Sequence, residues 1–361
     1  MTWSVGSIST YQFSLFNRQN VSRNTTNLQR AAQEVSTGRH YNIYTELGPR
    51  SSSVMKLRAR ELETQTYMQA NGVLGNKLQA TLNAVDTLKD NVQGVLESAL
   101  ANASRPTNGA DILQREARAA IESLVAILNT SYNGDHIFAG LQSDSAPMTR
   151  WEETNATSGL SPEDVMTGII GAGPPDVATV VAMTAEIDLV FSSSDTVTPN
   201  RNYEQTFYNG TPELDGGGQP SKQVSARVSV GQEVVYGVRA NEGPMREMYK
   251  GLAMLASYDV SQITDTAAYE AWMGEVIDAL TIGQQGLTDI SAKIGFNQQI
   301  VETAQTRLTD ISLVNRTQIG EYENVDPYEA VTRMTNLETQ LQASYEVSAR
   351  LSSLSLLNFL R

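Results

Sequence analysis

The sequence predicts a mainly α protein with a β-rich insertion, in which both chain ends form a long helical coiled-coil rod. Three observations carry this. Apolar residues recur every three to four positions through 1–140 and 245–361, the period of one helix face. Of the 11 prolines, 8 lie within 141–244, together with 11 of the 26 glycines, so helix breakers concentrate in the middle. Within that middle, Val224, Ala226, Val228 and Val230 alternate with polar residues, the period of a half-buried strand.

Each element follows in order. Val21, Leu28 and Val35 are seven apart, with Ala31 and Ala32 between the last two. Residues 1–50 are otherwise rich in Ser, Thr, Asn and Gln, so a helix there is marginal on its own. From 51 to 104 a proline-free stripe runs through Leu74, Leu78, Leu82, Val85, Leu88, Val92, Leu96 and Leu100. At 1.5 Å per residue it is roughly 80 Å long, a rod rather than a globular helix. Arg105-Pro106 ends it, and Leu113, Ala117, Ala120, Leu124, Ile127 and Leu128 mark the next helix. Asn133-Gly134 reads as a turn before a short strand over 135–140. The middle reads as β and loop, with Gly231 breaking the alternation before Val234-Val235-Tyr236. Met245, Met248, Leu252 and Leu255 mark a short helix, and Trp272, Val276, Leu280, Leu287, Ile290, Ile294, Val301, Leu308 and Ile311 a long one. The last helix opens on Asp326-Pro327-Tyr328-Glu329. Asp326 is placed to cap free N–H groups, Pro327 suits the first helical position, and Glu329 is placed to close a capping box. Its stripe is Met334, Leu337, Leu341, Val347, Leu351 and Leu354, with Ala343, Ser344 and Ser348 between.

Composition excludes several functions. With no cysteine among 361 residues there is no disulfide, thiolate metal site or cysteine nucleophile. His40 and His136 are the only histidines, and both read as surface or packing residues. The net charge of −14 argues against a nucleic-acid partner. It is uneven: 141–244 holds 14 acidic and 5 basic residues, a balance of −9, which leaves −5 for the flanks. No apolar run suits membrane insertion. No Lys or Arg precedes Arg18 and no apolar stretch opens the chain, so no cleavable signal peptide is expected. Gly168-Ile-Ile-Gly171-Ala-Gly173 runs into Pro174-Pro175 and reads as loop, not a phosphate cradle. Gly216-Gly217-Gly218 lacks the Lys-Ser/Thr of a phosphate loop. No catalytic residue, cofactor or metal site is expected. Two weak amphipathic ends suit segments that order on pairing, which points to a structural or interaction protein.

The two ends resemble the flagellin family. Glu34-Val35-Ser36-Thr37-Gly38-Arg39 carries the N-terminal likeness. Glu323-Asn324-Val325-Asp326-Pro327-Tyr328-Glu329-Ala330, Leu341-Gln342-Ala343-Ser344-Tyr345 and Leu354-Ser355-Leu356-Leu357-Asn358-Phe359-Leu360 carry the C-terminal one. Within the family, Tyr41-Asn42-Ile43-Tyr44-Thr45-Glu46-Leu47-Gly48 and Asn133-Gly134-Asp135-His136-Ile137-Phe138-Ala139-Gly140-Leu141 are similar to its hook–filament junction branch. The resemblance covers about 1–150 and 230–361.

The resemblance implies a structural component of the flagellum. Residues 1–50 and 319–361 would be inner-tube helices, 51–140 and 245–318 the two parts of the rod, and 141–244 an outward-facing β-rich insertion. Val21, Leu28, Val35, Met334, Leu337, Leu341, Leu351 and Leu354 would form the assembly interface. A ring of about eleven copies would form by self-association. The neighbouring hook-associated junction protein and flagellin would flank it. The flagellar type III export apparatus and an export chaperone would handle the chain beforehand. The competing expectations are a filament flagellin, an enzyme with its site in the middle domain, and an adhesin using the acidic middle.

Overall fold

The structure is a computed structural model; it describes residues 10–104 and 110–359, without the side chains of 10, 11, 13, 14, 111 and 351–359. The helix stop at Arg105-Pro106 lies outside the described residues. Helices form where the three-to-four spacing runs unbroken, so the protein is mainly α, with long helices at both chain ends and a small β-containing middle. The order is α1 (Thr10–Thr37), α2 (Ile43–Leu47), α3 (Ser51–Ala101), α4 (Ala110–Leu128), β1 (Ser131–Tyr132), β2 (Asp135–His136), α5 (Pro162–Ile170) and α6 (Val177–Phe191). Then come α7 (Tyr203–Thr206), β3 (Ser225–Ser229), β4 (Gln232–Val235), α8 (Gly243–Ser257), α9 (Thr266–Glu323) and α10 (Pro327–Phe359). The chain divides into two compact units, residues 1–66 with 309–361, and residues 67–308.

The central unit, 67–308, owns the apolar core. Leu78, Val85, Leu88 and Val92 of α3 and Leu113, Ile121 and Leu124 of α4 are fully buried, as are Leu252 and Leu255 of α8 and Trp272, Val276 and Leu280 of α9. Helix α8 lies close on α9 because Gly251 and Gly283 carry no side chain. A Cβ on Gly283 would sit 2.8 Å from Met248 Cβ, and one on Gly251 2.8 Å from Leu280 Cγ. An aromatic cluster completes the core. Tyr203 stacks on Phe207 at 5.4 Å between ring centres, and Phe207 meets Tyr249 edge-on at 5.5 Å. Burial pushes the phenols of Tyr203, Tyr208 and Tyr249 well above the ordinary range.

The middle contains less β structure than the alternation suggests. Its main sheet is the antiparallel hairpin β3–β4, turned at Gly231, where φ is +76°. Two buried asparagines hold it: Asn71 of α3 donates to Val228 O at 2.9 Å and Asn297 of α9 to Val235 O at 3.0 Å. The rest of the middle includes three helices, α5, α6 and the short α7, where the sequence reading has loop and strand. Helix α5 opens on a capping box: Asp164 N donates to Ser161 Oγ, and Ser161 N to Asp164 Oδ2, both at 3.0 Å. Pro162 stands at its first position, and Gly171 ends it at φ +54°. The Gly168–Gly173 stretch is therefore a helix end followed by a turn. Helix α6 is rich in β-branched residues, yet Asp176 caps it by accepting from Thr179 N at 2.8 Å. Its buried residues Val180, Thr184, Ile187 and Phe191 fall on one helical face.

Candidate assembly interface

The terminal unit, 1–66 with 309–361, is built differently. Helix α1 pairs with α10 in antiparallel sense. Asn17 Nδ2 donates to Ser348 Oγ at 2.6 Å near one end, and Arg333 Nη1 donates to Glu34 Oε2 at 3.1 Å near the other. Ala31 is buried at 2% exposure and Ala330 fully; small side chains there allow the helices to approach closely. The flanking apolar residues are only half-covered.

The expected interface residues fall in three places. Val21, Leu28, Met334, Leu337 and Leu341 are half-buried on the paired helices. Val35 is 36% exposed, and the neighbouring Glu34 takes the buried place instead. The side chains of Leu351 and Leu354 lie outside the described residues, although their backbone is helical. Val347 of the sequence stripe is exposed, while Ser344 and Ser348 are half-buried.

The start of α10 is chemically plain. Asp326 Oδ1 accepts from Tyr328 N at 2.8 Å, and Asp326 O accepts from Ala330 N at 2.9 Å. Pro327 is the first helical residue. Glu329 does not reach back to the cap as the sequence suggests. Its Oε1 accepts from Arg333 Nη2 at 2.8 Å, because Arg333, four residues on along the same face, offers a charged donor.

The crossing between the two chain ends joins the motifs that carry the family likeness. Helix α1 ends at Gly38, where φ is +67° and the N–H donates to Glu34 O at 2.8 Å. Val325 N then donates to Gly38 O at 3.0 Å, and His40 N to Glu323 O at 2.9 Å. Arg39 and Asn324 form an isolated antiparallel bridge. The Ser-Thr-Gly-Arg stretch and the Glu-Asn-Val-Asp-Pro stretch are thus bonded to each other by their backbones.

Three buried glutamates surround this crossing. Glu323, 1% exposed, accepts from Arg58 Nε at 2.7 Å and lies 3.6 Å from Arg39 Nη1. The hydrogen bond to Glu323 raises the Arg58 guanidinium above its ordinary value. Glu34 accepts from Tyr41 N at 2.9 Å as well as from Arg333. Glu61 Oε1 accepts from Ser312 Oγ at 2.7 Å, Arg316 Nε at 2.8 Å and Gln65 Nε2 at 2.8 Å. Burial pushes the Glu61 carboxyl up, but these donors outweigh it and hold it below the ordinary value. Residue spacing carries a signal for Glu61: it occupies an apolar slot in the series Val54, Leu57, Glu61, Thr64. The arginine partners Arg333, Arg316 and Arg58 lie far along the chain from Glu34, Glu61 and Glu323, so spacing alone does not identify them.

A cleft of about 450 Å³ opens beside Glu34, lined by Arg30, Tyr41, Asn42, Arg333 and Leu337. Arg30 lies over the Tyr41 ring at 5.4 Å. Tyr41 belongs to the segment leading into α2, which Asn42 caps by accepting from Tyr44 N and Thr45 N. The outer surface of this unit carries exposed Phe16, Leu62, Leu313, Val314, Val331 and Tyr328, the last 86% exposed. Among the described residues, no group of three or more His, Cys, Asp or Glu is arranged to hold a metal ion, and no helix is long and apolar enough to cross a membrane.

Comparison with known families agrees with this arrangement. Residues 8–143 match the bacterial flagellin N-terminal helical region, and residues 277–360 the bacterial flagellin C-terminal helical region. Together the two matches take in more than half of the chain. The chain belongs to the flagellin family. Flagellin-family proteins self-assemble into flagellar polymers, so this one is a structural, self-associating flagellar component. Its fold is similar to that of a Vibrio parahaemolyticus chain assigned as a flagellar hook-associated protein. That likeness has a TM-score of 0.51 at 10% sequence identity and covers 77% of this chain and 99% of that one. No curated protein matches in sequence.

Proposed function

We propose that this flagellin-family chain forms the junction between hook and filament, as a ring of about eleven copies. The observation that carries the reading is the hook-associated neighbour, whose whole length is matched by this fold. The Tyr41–Gly48 segment, which holds the capped helix α2, supports it by its resemblance to the junction branch of the family. In this reading 1–50 and 319–361 line the inner tube and 51–140 with 245–318 make the rod. The acidic 141–244 segment faces outward. Val21, Leu28, Met334, Leu337 and Leu341, with Val35, Leu351 and Leu354, complete their burial against neighbouring copies. Each full Leu or Val burial contributes roughly 1.5–3 kcal/mol. Export runs through the flagellar type III apparatus, with a chaperone on the C-terminal segment.

Filament flagellin is the second reading, favoured by the fact that both matched regions are those of flagellin itself. Immunogold labelling of intact flagella separates the two. A single band at the hook end supports the junction; labelling along the filament overturns it.

A further inference from the structure

We infer that the ion pair of buried Glu34 with half-exposed Arg333 is a register lock, holding α1 and α10 against a slip of one heptad. The apolar stripe cannot do this alone. Val21, Leu28 and Val35 are seven apart, and so are Met334, Leu341 and Ser348. Sliding α10 by seven residues, about 10 Å, would bring Leu337 and Leu341 to the places of Ser344 and Ser348. Met334 would then stand where Leu341 stands. The middle of the seam would keep Met and Leu side chains, while Ala330 and Pro327 would replace Leu337 and Met334 at its start.

The charges are what change. In that slipped register Asp326 would take the place of Arg333 and confront Glu34, carboxylate against carboxylate. The opposite slip would offer Gln340, which has no charge, and would also set Ser344 and Ser348 in the places of Leu337 and Leu341, so there the seam itself resists as well. Glu34 cannot turn away easily, because its other oxygen is held by Tyr41 N–H on its own side of the pair. A buried carboxylate left facing a like charge or no partner is strongly unfavourable. The same pattern recurs between α3 and α9 within the terminal unit. A seven-residue slip there sets Glu61 against Glu323 in one direction and Arg58 against Arg316 in the other. Polar groups at a helix seam set register in this way elsewhere in helical pairs.

Since the chain has no cysteine, an introduced pair reports register directly. Asn17→Cys with Ser348→Cys tests the observed pairing, where the native side chains touch at 2.6 Å. Asn17→Cys with Leu341→Cys tests the slip. In the full-length chain, oxidation is expected to favour the 17/348 link at least about tenfold, equivalent to about 1.4 kcal/mol. Adding Glu34→Leu and Arg333→Leu keeps the seam apolar and is expected to remove most of that preference, raising the 17/341 link. Arg333→Lys with Glu34 retained keeps the charge pair and is expected to keep the 17/348 preference. If the backbone crossing at Gly38 and Val325 holds register by itself, the preference survives in the Leu variant and the proposal falls. Loss of both links in that variant also overturns it, because the pair would then supply affinity rather than register. A parent chain that fails to link 17 to 348 overturns the helix pairing beneath it, a failure distinct from any error about junction or filament.

Discussion

Each of the two units is stabilised internally by a different chemistry. In the central unit, large aromatic and aliphatic side chains disappear completely, with Trp272, Tyr203, Tyr249, Phe138 and Phe207 fully buried. Among the described residues of the terminal unit, the buried apolar ones are Ala31, Val54, Val325 and Ala330, all small or medium. Among the same described residues the buried polar ones are more numerous: Glu34, Glu61, Thr64, Ser312, Asn315 and Glu323. Hydrophobic burial is non-directional and scales with area, so it makes a stable unit. Buried ion pairs contribute little net stability because desolvation offsets their attraction, but their geometry is specific. The terminal unit leaves Phe16, Leu62, Leu313 and Val314 exposed. The central unit covers its large side chains within itself.

That contrast makes graded predictions. Leu341→Asp is expected to abolish incorporation into flagella, since a charge in the half-buried seam loses the burial that assembly completes. Residues 67–308 should stay folded, checked by protease-resistant core and near-UV circular dichroism. Normal motility and labelling in this variant would erase the distinction between the units.

Phe207→Ala acts on the other side of the comparison. It removes a ring packed between Phe191, Tyr203 and Tyr249 and is expected to cost about 3–5 kcal/mol. Denaturant unfolding should show the loss in the central transition. Hydrogen exchange near Gly38 and Val325 should hardly move.

Arg58→Ala is the terminal counterpart. It leaves the buried Glu323 carboxylate with the more distant Arg39, at a cost of about 1–3 kcal/mol, since Arg58 is itself half-exposed. Faster amide exchange at His40 and Val325, with an unchanged central transition, is the expected reading. Equal loosening of both units would contradict it.

Alkali should discriminate in the reverse sense. The phenols of Tyr203, Tyr208 and Tyr249 have folded-state values raised above the ordinary 10.0 by burial. Their stabilising effect is therefore complete below pH 10 and declines as pH rises above it, because only the unfolded chain then releases the protons. Stability of the central unit, followed by urea titration, should fall from about pH 10 upward. A flat profile would mean that these rings reach solvent.

Asp326→Ala should give the smallest effect, about 1 kcal/mol, confined to the first turn of α10. Amide exchange at Tyr328 is the measurement.

Much of the fold could be read from residue spacing, and the exceptions have definite causes. Asp326-Pro327 and Ser161-Pro162-Glu163-Asp164 use the same helix-opening grammar, yet only the first stands before a stripe long enough to be obvious. Helix α6 hid because Val177, Val180 and Val181 favour strands locally; its cap at Asp176 and one-sided burial prevailed. Glu329 looked like a capping-box partner, and Arg333 drew it away. Val35 fitted the heptad, but Glu34 holds the buried place because Arg333 and Tyr41 N–H satisfy its carboxylate.

By itself the sequence determined the helical flanks, the acidic middle, the strand broken at Gly231 and the family, because each rests on local spacing or on contiguous motifs. Only the tertiary structure decided which residues meet across some 250–330 positions of chain: Asn17 with Ser348, Arg58 with Glu323, Glu61 with Ser312. No local propensity encodes such pairings. They arise when two long helices commit to one register, and the buried charges that enforce it look, in one dimension, like ordinary surface residues.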